Sequence, residues 1–455
     1  VSDHDPRLDA PIQTERDLFA VFREAEKPRS QWVVGAEMEK FGVVGATGQP
    51  LSYDGEHGVL RVMHALEKSG WVAQREREGA PIIALLRGAT SVTLEPGSQF
   101  ELSGAPFDSI HDICMEFRRH MEDLEPISRE LGIRWMGLGF HPFARRSDFR
   151  MVPKARYAVM REYLPTRGGH ALDMMLRTCT VQANFDYEDE ADAMRKMRVG
   201  LKLSPLTTAI FANSPFYEDR AFGGRTFRGS VWLDVDPDRS GLLPALWKPG
   251  ASYADYVQWA LDVPMFVVKR GLDILPNTSQ TFRAFWNHGF RGYRATHADW
   301  QLHLNTLFPE VRLKKTIEIR GADAQGKKTR CALPALWTGI YYDQQALSEA
   351  DALTGDFEHD EVSKIRAEVA ARGLRASFRG KPIAHLAEQV IAIALGGLER
   401  RARLRKDGKD ERIHLAEIRR LVEKGLTPAD TLLEGIDRAA DFRREVMARA
   451  DLAAT

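Results

Sequence analysis

Five segments of the chain carry acids, amides or arginines at every second position. In VVGAEMEKFGVV, Glu37 and Glu39 stand two residues apart. Successive side chains of a strand point to opposite faces, so these carboxylates share one face while Ala36 and Met38 share the other. Two such acids repel, and burying them is costly unless a cation lies between them. TSVTLEPGSQFELSG repeats the theme: Val92 and Leu94 point one way and Glu95 the other. After the Pro96-Gly97 break, Gln99 and Glu101 share a face. RTCTVQANFDY aligns Thr178, Thr180, Gln182 and Asn184, and FRGSVWLDVD, taken as a strand, aligns Arg228, Ser230, Trp232 and Asp234. KKTIEIRGAD sets Glu318 beside Arg320, with Ile317 and Ile319 opposite.

Polar–apolar alternation is also what any half-exposed antiparallel strand shows. Five such strands together point further, to a sheet lined with oxygen ligands. Hard cations such as magnesium take carboxylate and amide oxygens. Arginines on the same sheet suit phosphate or carboxylate. The pattern therefore predicts a metal–nucleotide site. GxxxxGK[ST], GxGxxG and GxSxG are all missing, which excludes a P-loop and gives no dinucleotide or nucleophile-elbow signal. The glycine-rich AFGGRTFRG reads as a mobile loop, and His141 and His170 as structural. Trp135, Phe140 and Phe143 read as core. Lys154 and Arg156 in FARRSDFRMVPKARYAVMREYLP have two readings: contacts to nucleotide phosphates, or a solvated charged face.

The elements that must position these residues are an α+β set. Helices are expected over Glu15–Glu26, Ile110–Leu131 and Ala191–Phe211. In the second, Ile110, Ile113, Cys114, Phe117 and Met121 form one stripe. Strand signals nearly vanish after Gln344, where KPIAHLAEQVIAIALGGLERRARL and RIHLAEIRRLVEKG are amphipathic. The expected organisation is a catalytic α+β body over 1–343 with a helical C-terminal region, 344–455, packed on the same domain.

The 455 residues suffice for a large core, and 64 basic residues balance 64 acidic ones. No basic excess exists to hold nucleic acid or an anionic membrane. Three cysteines are too few for a disulfide scaffold, and no apolar run is long enough to span a bilayer. With no apolar signal core near the start, a cytoplasmic location is the expectation.

VGAEMEKFG, TSVTLEPGSQFELSGAP, DMMLRTCTVQANFDY, ANSPF, DRSGLLP, YVQWALDVPMF, FPEVRLKKTIEIRGAD and RCALPALW together resemble the plant and proteobacterial class of glutamate–cysteine ligase, in that family's order, from about Gly35 to Tyr342. The resemblance implies a glutamine-synthetase-like fold: a curved, mainly antiparallel sheet forming a funnel covered by helices. It implies ATP and two or three magnesium ions, with Glu37, Glu39, Glu95, Glu101, Gln182 and Glu318 as metal ligands. Arg228 and Arg177 would bind substrate, and Arg320 with Glu318 would face the transferred phosphoryl group. The implied reaction joins the γ-carboxylate of L-glutamate to the amine of L-cysteine through γ-glutamyl phosphate, the first step of glutathione biosynthesis. Two alternatives stay open: a γ-glutamyl ligase of the same fold using another amine, and a non-catalytic regulatory or binding protein on this scaffold. Monomer and homodimer are both compatible with the composition.

The resemblance further implies a Cys114–Cys331 disulfide, with Cys179 free. The second cysteine pair of plant members is missing from TSQTFRAFWNHGFRGYRATHADW. Two buried thiols are the alternative.

Overall fold

Nine strands build one sheet in the computed structural model, which describes residues 5–453. They are β1 (Val34–Val44), β2 (Val72–Arg75), β3 (Ile82–Arg87), β4 (Thr90–Leu94), β5 (Phe100–Ser103), β6 (Ile133–Met136), β7 (Thr180–Phe185), β8 (Val311–Leu313) and β9 (Ile317–Asp323). The spatial order is β8-β9-β7-β1-β5-β4-β3-β2, and β6 pairs with the far end of β1. All of these pairings are antiparallel.

The strand alternation resolves into two faces. Ala36, Met38, Val92, Leu94, Phe100, Leu102, Val181, Ala183, Ile317 and Ile319 are all buried. Helices Ile110–Leu131, Glu190–Ile210 and Ala332–Tyr341 pack against the sheet. The first begins where Ser109 Oγ accepts from His111 N at 3.1 Å and ends at Gly132 in the left-handed conformation (φ 65°). Asp189 caps the second by accepting from Asp192 N at 2.8 Å. The first α-helix among the described residues is Glu15–Arg23, three residues shorter than its apolar pattern suggests. Trp135, Phe140 and Phe143 are buried, as expected.

Two local expectations are corrected. FRGSVWLDVD is not a strand: Phe227–Val231 is a short helix, because Thr226 Oγ1 accepts from Gly229 N at 2.9 Å and caps it. Nor does AFGGRTFRG hang free. Arg225 N and Thr226 N both donate to Ala370 O, at 3.0 and 3.1 Å, and Thr226 Oγ1 donates to Asp323 at 3.0 Å.

The C-terminal region is mainly helical, apart from the two-residue strands Ser377–Phe378 and Lys381–Pro382. Its long helix, Ala384–Arg401, lies on Ala332–Tyr341 so closely that a Cβ at Gly397 would fall 1.9 Å from Gly339 O. Only glycine permits that approach. A disulfide joins Cys114 to Cys331, with Cα atoms 5.9 Å apart, and Cys179 is free and buried. The bridge ties the Ile110–Leu131 helix to the start of the Ala332–Tyr341 helix.

Candidate active site

The register of the sheet carries the acidic pattern sideways from β1. Glu39 lies opposite Glu101 on β5, and Glu37 opposite Gln182 on β7. Glu95 arrives from the turn after β4. There Glu95 N donates to Gln99 O at 3.0 Å, Gly97 N donates to Gln99 Oε1 at 2.7 Å, and Ser98 is left-handed (φ 67°). A Cβ on Gly97 would stand 2.3 Å from Leu176 O, so the turn that presents Glu95 requires glycine.

Hydrogen bonds orient these acids. Glu37 accepts from Asn184 Nδ2 at 3.1 Å, Glu39 from Thr180 N at 2.8 Å, and Glu101 from Thr93 Oγ1 at 3.1 Å and from Ser103 Oγ. Burial, then the neighbouring charges of Glu318 and Glu101, push the Glu37 carboxyl up to about 7. Burial and the Glu95 charge raise Glu101; for Glu39, burial and the charges of Glu95 and Glu101 do the same. A cluster of buried, mutually repelling carboxylates and an amide oxygen is the donor set of a hard divalent cation.

Glu318 is neutralised from within the chain. Its Oε2 accepts from Arg312 Nε at 2.8 Å and from Arg320 Nη1 at 2.6 Å, and its Oε1 from Lys314 Nζ at 3.0 Å. Burial would raise its pKa, but the charges of Arg312, Lys314 and Arg320 outweigh that and hold it well below the carboxylate range. The β9–β7 register shifts between Ile319 and Ala322, a bulge that takes in Arg320. Arg320 Nη1 also donates to Gln182 Oε1 at 2.7 Å, so one guanidinium spans both strands.

Arg228, on the short helix, is buried. Its Nη2 donates to Arg320 O at 2.9 Å, its Nη1 lies 4.0 Å from Asp323 Oδ1, and its Nε is buried without a partner. The Trp232 ring lies one helical turn on, 5.6 Å from the Arg228 guanidinium. An i, i+4 pair on a helix shares a face, as an i, i+4 pair on a strand does. The strand expectation therefore grouped Arg228 with Trp232 correctly for the wrong reason.

One cavity collects these groups, with about 840 Å³ of non-protein space, mouth included. Glu39, Glu95, Gln182, Arg228 and Arg320 line it, while Glu37, Glu101 and Glu318 do not reach its wall. Arg156 and Trp232 are among the other polar lining residues, and Met174, Met175, Phe266 and Phe308 among the apolar ones. Lys154 is used differently: its Nζ donates to Leu94 O at 2.6 Å and supports the end of β4. Arg156 is thus the member of that basic segment at the cavity. Met174, Phe266 and Phe308 carry no chemical signal in the sequence, and only their shared wall reveals them.

Arg177 is not brought to this cavity. β7 begins only at Thr180, so Arg177 ends the helix Ala171–Arg177. Its guanidinium donates to Asp173 one turn back at 3.1 Å, to Ala144 O at 2.7 Å and to Glu218 at 3.2 Å. It lies over the rings of Phe140 and Tyr217 and lines a separate surface cleft. Its position there lends no support to the substrate role expected for it. His141 and His170 are structural: His141 Nδ1 accepts from Ala144 N at 3.1 Å, and His170 pairs with Asp173 at 3.0 Å.

The architecture is that of the glutamine-synthetase-like ligases. A glutamate–cysteine ligase from Francisella tularensis, solved in complex with AMP, shares the fold with a TM-score of 0.55 and 11% identity, over 92% of this chain and 87% of that one. The model of glutamate–cysteine ligase family 2 (GCS2) matches residues 33–449, and the chain belongs to that family. It is 41% identical to the chloroplastic glutamate–cysteine ligase of Brassica juncea over 92% of this chain and 80% of that protein. It is 40% identical to the one from Medicago truncatula, over 94% and 84%. These relatives correct the cytoplasmic expectation, since they carry chloroplastic names. Composition and hydropathy report on the folded body and not on the compartment, so they could not decide it. Among the described residues, no helix is long and apolar enough to cross a membrane.

Proposed function

We propose that this chain uses ATP to join the γ-carboxylate of L-glutamate to the amine of L-cysteine. Family membership across residues 33–449 carries the reading, with 40–41% identity to plant glutamate–cysteine ligases. The acid-and-arginine cavity supports it, because a carboxylate becomes an acyl donor only after conversion to an acyl phosphate. The γ-carboxylate oxygen takes the terminal phosphoryl group of ATP and releases ADP. The amine then attacks the carbonyl carbon of that acyl phosphate, loses a proton and expels phosphate.

In this reading Arg228 holds the α-carboxylate of glutamate; its unpartnered buried Nε supports a bound anion. Arg320, pinned by Glu318 and Gln182, offers its remaining donors to the transferred phosphoryl group. Glu37, Glu39, Glu95 and Glu101, whose all-oxygen donor set fits magnesium, would hold two or three such ions, and Gln182 and Glu318 would join them where Arg320 turns from them to the phosphoryl group. Magnesium neutralises charge on the phosphoryl oxygens when bound. The reading holds for a monomer and a homodimer alike. Region 344–455 is assigned to the same folding unit as 1–343; the Gly339–Gly397 contact supports that.

Phosphate release measured with glutamate and ATP, with cysteine and then with a panel of other amines, tests the reading. Cysteine should give the highest kcat/KM. A better amine would favour the alternative γ-glutamyl ligase, and no glutamate-dependent release would sink both.

A further inference from the structure

Outside the cavity, one cluster of metal-ligating side chains is built from three distant parts of the chain. Cys114 Sγ, Cys331 Sγ and a ring nitrogen of His414 all lie within 4.8 Å of one another. Cys114 belongs to the Ile110–Leu131 helix, Cys331 caps Ala332–Tyr341, and His414 lies in the 3-10 turn Glu411–Leu415. His414 Nδ1 is 3.4 Å from Cys114 Sγ, and its Nε2 is 2.9 Å from His111 Nδ1. His111 is buried, and its Nε2 has no partner. A protonated His111 Nε2 leaves Nδ1 to accept from His414 Nε2–H. The His414 Nδ1 lone pair then faces a sulfur that, in the disulfide, has no proton to give.

We propose that, when the Cys114–Cys331 bridge is reduced, these three side chains bind one zinc ion. Zinc takes thiolate sulfur at about 2.3 Å and imidazole nitrogen at about 2.0 Å, so tetrahedral S···N edges are about 3.5 Å. The 3.4 Å contact already has that length. His111 supplies the outer hydrogen bond that fixes the tautomer of a ligating histidine. A Cα separation of 5.9 Å lets the two sulfurs sit side by side on one ion. The fourth position would take water.

The chemistry balances with a dithiol as reductant. It gives two electrons and two protons to the S–S bond, becomes a disulfide itself, and leaves Cys114 and Cys331 as thiols. Zinc then displaces both thiol protons and forms two Zn–S bonds. The ion would replace the covalent tie between the two helices and add the C-terminal turn to it.

The test uses the full chain, stripped of metal with a chelator. Oxidised protein is compared with protein reduced by dithiothreitol and desalted without oxygen, and each is titrated with cobalt(II) and then zinc(II). Reduced protein should take one cobalt with a thiolate-to-cobalt charge-transfer band, bleached by zinc, and oxidised protein should show no such band. The carboxylate cavity cannot give that band, having no thiolate. His414→Ala should weaken cobalt binding by about tenfold or more, and His111→Ala by about tenfold. Absence of the band in reduced wild-type protein, an equal band in oxidised protein, or unchanged affinity in a folded His414→Ala variant would overturn the site.

Discussion

Glu39 on β1 lies directly across the sheet from Glu101 on β5, two buried acids in one cross-strand pair. Like charges in that position destabilise a sheet by up to about 1 kcal/mol. Glu101→Gln should therefore raise the melting temperature of metal-free protein while lowering kcat. Magnesium should stabilise the wild type more than the variant. Equal magnesium-induced shifts in both proteins, read by differential scanning calorimetry, would remove Glu101 from the metal site.

The raised Glu37 carboxyl sets a pH dependence. Its folded value of about 7 exceeds the ordinary 4.5, so between those values the folded state holds more proton than the unfolded one. The resulting stabilisation is complete below about 4.5 and is lost as pH rises through 7. Metal-free wild type should lose stability relative to Glu37→Gln across that window in urea titrations. A difference between the two proteins that is flat from pH 5 to 7.5 would contradict the raising of Glu37 by burial and by the charges of Glu318 and Glu101.

The two arginines should separate in steady-state kinetics. Arg228→Lys should mainly raise the KM for glutamate, because lysine cannot reproduce a bidentate carboxylate contact. Arg320→Lys should mainly lower kcat, since the group acts on charge that develops during transfer. An unchanged glutamate KM in both variants would show Arg228 to be misassigned.

Glu318→Gln should cost fold stability as well as turnover. The carboxylate accepts from Arg312, Lys314 and Arg320, and Arg312 is itself buried. Removing one partner of a buried pair costs about 3–5 kcal/mol. Lower thermal stability at saturating magnesium is the expected result, and an unshifted melting curve would argue against the ion-pair cluster.

Reduction of Cys114–Cys331 should destabilise the chain strongly. The bridge closes a separation of 217 residues, for which chain entropy gives about 5 kcal/mol. Oxidised and reduced protein without added metal should differ by several kcal/mol in guanidinium midpoint analysis. Coincident midpoints would show that the unfolded chain is already compact.

The sequence by itself determined what lies within one element. The period-2 alternation of β1 placed Glu37 and Glu39 on one face, and the apolar stripe marked the helix Ile110–Leu131, whose bounds the structure keeps. These are legible because backbone geometry repeats every two or 3.6 residues and caps act locally. Tertiary structure alone decided which groups meet across elements. It set Arg312 of β8 against Glu318, turned Arg177 away to Asp173, and made the Arg228 segment a helix. It also brought His414 to Cys114 across 300 residues. Register, bulges and packing settle such meetings, because the energy that chooses a partner for a buried charge depends on every group around it.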